Sequence, residues 1–507
     1  MKFDFTGLLK NEMKPALGVT EVGAIALAAA RAYAAVGGKL QEIRMVMNGG
    51  MYKNAFSCAI PGTQELGCNM AAALGALGGD WTLGLEVLKN ITAAHVAEAK
   101  TLQIPMDIKA DETKEGIYIL AEIRTSEGVG VCRIEDFHAN IVFVAKNDTV
   151  LFQAEQTKAA EQQHAFDFEA VTVADMVDYA KTVPIAELSC VKEMIAMNCA
   201  LSAEGEKGVG LQIWKTLAAF RNRGAVGDDM IYAAQRLTCS AMDARLAGLP
   251  FPAMSIVGSG SHGILCSMPV VSYGRFAGKT EEEIIRGVAL SCLITIFSKH
   301  YTGRLSALCG CVLGGGSGAA AGIVLLMGGG AKEASAAMDH MAANLTGMIC
   351  DGGSIGCALK ASAGVYAAYL SAMLAMEGIA IPHNFGVIGS SAEQTEKNLG
   401  RISDEGMAPM DSTIIDVIPC VSCVYQFCFM WQHPTTEHSR HDIPFVAGLS
   451  TEEIVLCAYL RAFFFLYCFL YIRNVGQVAI KVCNNAFLRI SCLSIIKIFH
   501  IIPSFLL

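Results

Sequence analysis

Four cysteines in this 507-residue chain stand where a thiolate could do chemistry: Cys309, Cys311, Cys350 and Cys357. They lie in two glycine-rich stretches, HYTGRLSALCGCVLGGGSG (300–318) and GMICDGGSIGCALK (347–360). No charged residue occurs from Leu305 to Ala331, so a thiolate there has no polar surface to solvate it. Two readings stay open for such thiols, an inert small hydrophobe or a metal ligand. Between Cys350 and Cys357 the segment Asp351-Gly352-Gly353-Ser354-Ile355-Gly356 is rich in turn formers. Glycines there let a backbone approach an inorganic cluster and offer amide donors to its sulfurs. The spacing is neither a paired CxxC zinc pattern nor a ferredoxin run.

Two further groups could bind a small anion. Gly258-Ser259-Gly260-Ser261-His262-Gly263 could cradle a carboxylate through backbone amides, or be a helix-connecting turn. It lacks the ending of a phosphate loop and the strand–turn–helix context of a dinucleotide fingerprint. Arg304, shortly before Cys309, could clamp a carboxylate with its guanidinium, or be a surface cation at a helix end.

The elements that must position these residues divide the chain in two. A helix is expected through PALGVTEVGAIALAAARAYAAVG with Thr20 as its cap, then a strand over 39–47, then helices over 67–77 and 81–99. Residues 104–153 carry β-type segments such as IYILAEIR and ANIVFVAK between short turns, which predicts an antiparallel meander. From 171 onward the pattern is helical almost throughout: 173–183, 185–203, 207–222, 226–247 and 281–299. The expected fold class is therefore α+β. Residues 1–170 form a mixed N-terminal half with an antiparallel sheet, 171–417 an all-α half carrying the cysteine loops, and 418–507 an anomalous apolar tail. Phenylalanine, tyrosine, cysteine and isoleucine rise together in that tail. Its Cys420 and Cys423 form a CxxC, and 455–472 is too short and too interrupted by Arg461 for a membrane span.

Composition narrows the class. A net charge of −9 without a basic run argues against nucleic acid as a partner. The opening Met1-Lys2-Phe3-Asp4-Phe5 leads into polar residues, not an apolar leader. Nineteen cysteines are then expected as thiols or ligands in a reducing, cytoplasmic compartment.

Longer motifs carry a resemblance. GRLSALC, GMICDGGSIGCALK, KPALGVTE (14–21), MYKNAFSCAIPGT (51–63) and ARLAGLPFPAMSIVGSGSHGI (244–264) resemble the L-cysteine desulfidase family, relatives of the alpha chain of iron–sulfur L-serine dehydratases. The resemblance spans roughly residues 10 to 415. It implies a [4Fe–4S] cluster held by Cys309, Cys350 and Cys357, one iron left open to substrate, and no pyridoxal phosphate. It also places the Ser259, Ser261 and His262 loop by the active site, with His262 as a substrate contact; Arg304 joins these substrate-binding candidates on its own position before Cys309. The implied reaction is β-elimination of a small amino acid: L-cysteine to sulfide, ammonia and pyruvate. An L-serine dehydratase-like deaminase is the alternative, and a non-catalytic iron–sulfur or amino-acid-binding protein a third reading. The implied partners are a small amino-acid substrate and a second copy of the chain, with no membrane for the core. One position departs from the pattern. The family motif ALGCTEP bears a proton-accepting cysteine, and this chain has Val19 there, followed by Thr20 and Glu21. Val19 cannot take a proton, so weak turnover of cysteine is implied, or transfer of the base role to Glu21.

Overall fold

The structure is a computed structural model that describes residues 3–154 and 166–418. The CxxC at Cys420 and Cys423, the segment 455–472 and nearly all of the expected tail lie outside the described residues.

Eight strands are described: β1 (Met13–Leu17), β2 (Leu40–Met47), β3 (Met106–Ala110), β4 (Tyr118–Thr125), β5 (Gly128–Glu135), β6 (Ile141–Lys146), β7 (Thr149–Gln153) and β8 (Pro252–Ile256). Six form one sheet in the order β3-β2-β4-β5-β6-β7. The run from β4 to β7 is the expected antiparallel meander. β3 departs from it, pairing parallel to β2 with Ile43 opposite Met106. On β4, alternate residues Ile119, Ala121 and Ile123 are fully buried, the period-2 face of a strand against a core. Each isoleucine contributes about 1.5–3 kcal/mol of burial. The helix Thr20–Val36 packs on this face. Its alanines bring its backbone onto β5, where a Cβ on Gly130 would sit 2.0 Å from the Ala32 carbonyl oxygen.

That helix is capped one residue before the expected cap. Residues 13–17 are β1, and Val19, extended at φ −77°, is the N-cap without a side-chain bond, so Thr20 opens the helix instead of capping it. The helix expected over 81–99 is two pieces, a 3₁₀ turn at Trp81–Glu86 and a helix at Ala93–Thr101. Thr92 starts the second piece with its own capping box, accepting from His95 N.

The second half is helical, as expected, apart from β8. β8 pairs antiparallel with β1, Met13 opposite Ile256, and so ties the N-terminal segment to the helical half. The helices Gly260–Phe276 and Gly316–Met327 are buried along nearly their whole length, which fits segments apolar on all sides. A capping box between Thr280 and Glu283 starts the long helix Glu281–Thr302. Cys311–Gly315 is a π-helical turn leading into Gly316–Met327, a form common at functional sites. Among the described residues one helix, Cys357–Met376, is long and apolar enough to cross a membrane, and 56% of its apolar window is buried inside the protein. Both halves contribute to one continuous core, from Ile119 and Ile134 of the sheet to Val270 and Val324 of the central helices.

Candidate active site

The two cysteine stretches are stitched together by backbone. Cys309 N donates to Met348 O (2.8 Å) and Cys350 N to Ala307 O (2.7 Å), an antiparallel bridge between Leu308 and Ile349. Cys357 is the first residue of its helix, with its amide on Ser354 O at 3.0 Å. Lys53, in the MYKNAF motif, is 1% exposed and donates to Cys350 O at 2.8 Å and to Asp411 Oδ1 at 2.6 Å. Lys360 holds the other side through Ile349 O (3.0 Å) and Asp351. Backbone pairing and two lysines thus fix the thiols, not the local cysteine spacing.

The thiols open onto a cleft that reaches solvent. Cys309, Cys350 and Cys357 line it, and so does Cys311, whose Sγ is 3.4 Å from Cys309 Sγ. Val19, Glu21, Ser259, Ser261, His262 and Arg304 line the same cavity. The two halves of the molecule therefore bring all of the expected site residues to one place. Among the described residues no three His, Cys, Asp or Glu side chains converge on a point suited to a single ion.

Their charge states differ. The hydrogen bond shared with Cys311 draws the Cys309 thiol down to about 7. The same bond and burial push Cys311 well above its ordinary range. Burial pushes Cys357 up to about 11 and raises Cys350, against the pull of Lys53. Metal binding would have to displace those protons.

Several residues of the site carry no sequence signal, or only a weak one. Arg245, from the helix Met230–Leu246, is buried and bonds Ser261 Oγ through Nη1 at 2.9 Å, while its Nε has no partner. Lys299 donates to Ser306 Oγ at 3.0 Å, and burial lowers its pKa to about 8. A Cβ on Gly310 would sit 2.7 Å from Lys299 Nζ and 2.8 Å from His262 Nε2, so only glycine admits both. His262, pushed well below its usual range by burial and then by Lys299, leaves Nδ1 unpartnered. Ser261 and His262 belong to the first turn of the helix Gly260–Phe276, not to a loop, because the turn ends at Ser259. Arg304 follows the helix end at Gly303 and is partly engaged. Its Nη2 bonds both Glu12 oxygens at 2.7 and 2.8 Å, and its guanidinium lies 4.4 Å from the Phe137 ring centroid.

Around Val19 the groups are polar. Glu21 Oε1 accepts from Asn54 Nδ2 at 2.8 Å and Oε2 from Thr20 Oγ1 at 3.0 Å. His138, from the turn between β5 and β6, lines the cavity with Nε2 3.9 Å from Glu21 Oε1. Cys58 lies behind Gly353 and donates to Asn54 O (2.6 Å) and Gly353 O (2.8 Å). Burial and then Glu21 hold its thiol protonated, well above the ordinary range.

Comparison with known proteins adds two findings. A family model described as serine dehydratase alpha chain matches residues 82–416. A UPF0597 protein of Clostridium botulinum (strain Okra / Type B1) is 41% identical over 417 residues, 81% of this chain and 97% of the relative. UPF0597 proteins of Clostridioides difficile (strain 630) and Bacteroides fragilis (strain ATCC 25285) are each 38% identical, over 81% and 82% of this chain and 98% and 97% of their own lengths.

Proposed function

The chain belongs to the serine dehydratase alpha chain family, and from that premise we propose that it is a lyase that eliminates the β-substituent of a small amino acid, L-cysteine first and L-serine as the alternative. The observation that carries this reading is one cavity that joins four thiols to a cationic wall of Arg245, Lys299 and Arg304. The donor set fits a [4Fe–4S] cluster, since thiolates are the ligands such clusters take and three cysteines leave one iron without a protein ligand. Cys309, Cys350 and Cys357 would hold it. When bound, the cluster supplies a Lewis acid for the leaving thiolate or hydroxide.

The chain's own groups do the rest. Arg245, buried with Nε unpartnered and beside Ser261, is the guanidinium with capacity left for the substrate carboxylate. The amino end of the helix Gly260–Phe276 faces the same cavity through Ser259 and Ser261 and favours an anion. Holding the carboxylate there also stabilises the charge that develops when the α-proton leaves. Free thiols of this kind persist in a reducing compartment, which supports a cytoplasmic setting.

The test is anaerobic reconstitution with iron and sulfide, followed by metal analysis and pyruvate release from L-cysteine and L-serine. About four irons per chain and pyruvate from either substrate support the reading. Iron without turnover on any β-substituted amino acid favours a binding protein, which the apolar Val19 on the cavity wall would explain.

A further inference from the structure

We propose that His138, backed by Glu21, is the base that takes the substrate α-proton where Val19 provides none. This inference rests on the elimination chemistry proposed above. His138 is 4% exposed and lines the cavity together with Val19 and the cysteines. Its Nε2 is buried, without a hydrogen-bond partner, and 3.9 Å from the Glu21 carboxylate. A buried ring nitrogen left unpaired is costly, and this one belongs to a side chain that lines the same cavity as the thiols.

The other candidates fit less well. Cys58, behind Gly353, has its thiol directed at two backbone carbonyls and held protonated. His262 lies beside the Lys299 ammonium, with no carboxylate to hold an imidazolium. Glu21 has both oxygens engaged, by Asn54 and Thr20, and against the opposing pull of burial the Asn54 bond and Arg245 help to keep its carboxylate ionised. Of these groups, His138 alone pairs an open nitrogen with a carboxylate that stabilises its charged form.

The charges facing His138 come from four elements. Glu21, on the helix Thr20–Val36, favours imidazolium. Arg245, on Met230–Leu246, and Arg304, in the loop after Glu281–Thr302, oppose it, with Glu12 of the helix Phe5–Glu12 bonded to Arg304. Burial, the largest influence, acts with the two arginines to outweigh Glu21 and keeps the ring neutral at neutral pH. A substrate carboxylate against Arg245 offsets one cation and makes the ring a stronger base once substrate is bound.

In the step, the Cα–H proton passes to the ring and the C–H electron pair becomes the Cα=Cβ bond. The Cβ–S bond breaks with its pair on sulfur, giving HS⁻ and 2-aminoacrylate. Serine gives hydroxide in the same way. No oxidant or reductant enters, and the ring proton leaves with the product or to solvent.

The experiment compares wild type, His138→Gln and Glu21→Gln after anaerobic reconstitution. Three quantities are read: iron content, the pH profile of pyruvate release, and the NMR titration of the His138 ring in metal-free protein, assigned by its absence from His138→Gln. His138→Gln is expected to keep its iron and to lose about 10²- to 10⁴-fold in kcat, the usual worth of a general base, with KM changed by less than about threefold. Glu21→Gln is expected to move both the acid limb of the profile and the ring titration to lower pH, because the imidazolium loses its counter-charge. A His138→Gln enzyme that keeps more than about a tenth of wild-type kcat overturns the inference, as does a ring titration unmoved in Glu21→Gln. If His138→Gln does not fold, His138→Asn takes its place for both the kinetics and the ring assignment, with the same outcomes. A wild type that releases no pyruvate overturns the reaction and the base assignment with it. An active wild type matched by His138→Gln overturns the base assignment alone.

Discussion

Replacing Lys53 by methionine tests how the cysteine loops are held. Lys53 Nζ, 1% exposed, bonds the Cys350 carbonyl at 2.8 Å and the Asp411 carboxylate at 2.6 Å, and so joins the helix Gly49–Ala55 to both the cysteine loop and the segment around 411. Methionine keeps most of the apolar stem and removes both bonds. The bond from a charged donor to Cys350 O is worth about 1.5–3 kcal/mol, and its loss leaves that carbonyl without its charged partner. Breaking a fully buried ion pair costs about 3–5 kcal/mol. Asp411 is 30% exposed, so its carboxylate recovers water, and the buried ammonium no longer has to be desolvated. Together these give a net loss of about 2–3 kcal/mol, roughly a 30- to 150-fold change in the folding equilibrium. Urea unfolding at pH 7 measures it, with iron per chain as the second readout. Asp411→Asn alone should lose less, and the double variant should lose no more than Lys53→Met, because the two residues share one interaction. A loss below about 0.5 kcal/mol in Lys53→Met, or simple additivity in the double variant, refutes the reasoning.

Cys309→Ala, Cys350→Ala and Cys357→Ala should each abolish stable iron retention, whereas Cys311→Ala should keep it; metal analysis after anaerobic desalting reads this directly. Val19→Cys is near in volume and should leave stability within about 1 kcal/mol. With His138 as the base it should raise pyruvate release by less than about threefold, and a gain above about tenfold would return the base role to position 19. Gly310→Ala places a methyl against Lys299 Nζ and His262 Nε2, and should cut turnover at least about tenfold while costing about 1–3 kcal/mol of stability, read by parallel kinetics and urea curves. Burial holds the folded-state pKa of His138 below the unfolded value of about 6.5. Its contribution to stability is therefore complete above about pH 6.5 and is lost as pH falls toward the folded value, and Glu21, also depressed, adds a loss below about 4.5. His138→Gln should flatten the slope of unfolding free energy as pH falls below about 6.5, and an unchanged slope counts against a neutral buried ring.

The sequence by itself settled the fold class and picked out many of the residues that line the cavity. Alternating apolar residues over 118–146 determined strands, because a two-residue period leaves no other way to bury one face. The alanine- and glycine-rich runs determined buried helices, because nothing on them needs water. Cys309, Cys350, Cys357 and the Gly258–Gly263 segment could be singled out because glycine-flanked thiols and a serine-bearing turn are local features, visible within a few residues. Only tertiary structure decided the rest. β3 lies parallel to β2 because the chain crosses over between them, a path that no short window encodes. His138 stands in an ordinary polar turn and Arg245 on an ordinary helix. Each becomes part of the site only because β1 pairs with β8 and the sheet half packs against the helical half. That packing removes water from the Glu21, His138 and Arg245 side chains together, and burial is what changes their chemistry. Periodicity records which face of an element is buried, but not which side chains from distant elements meet there.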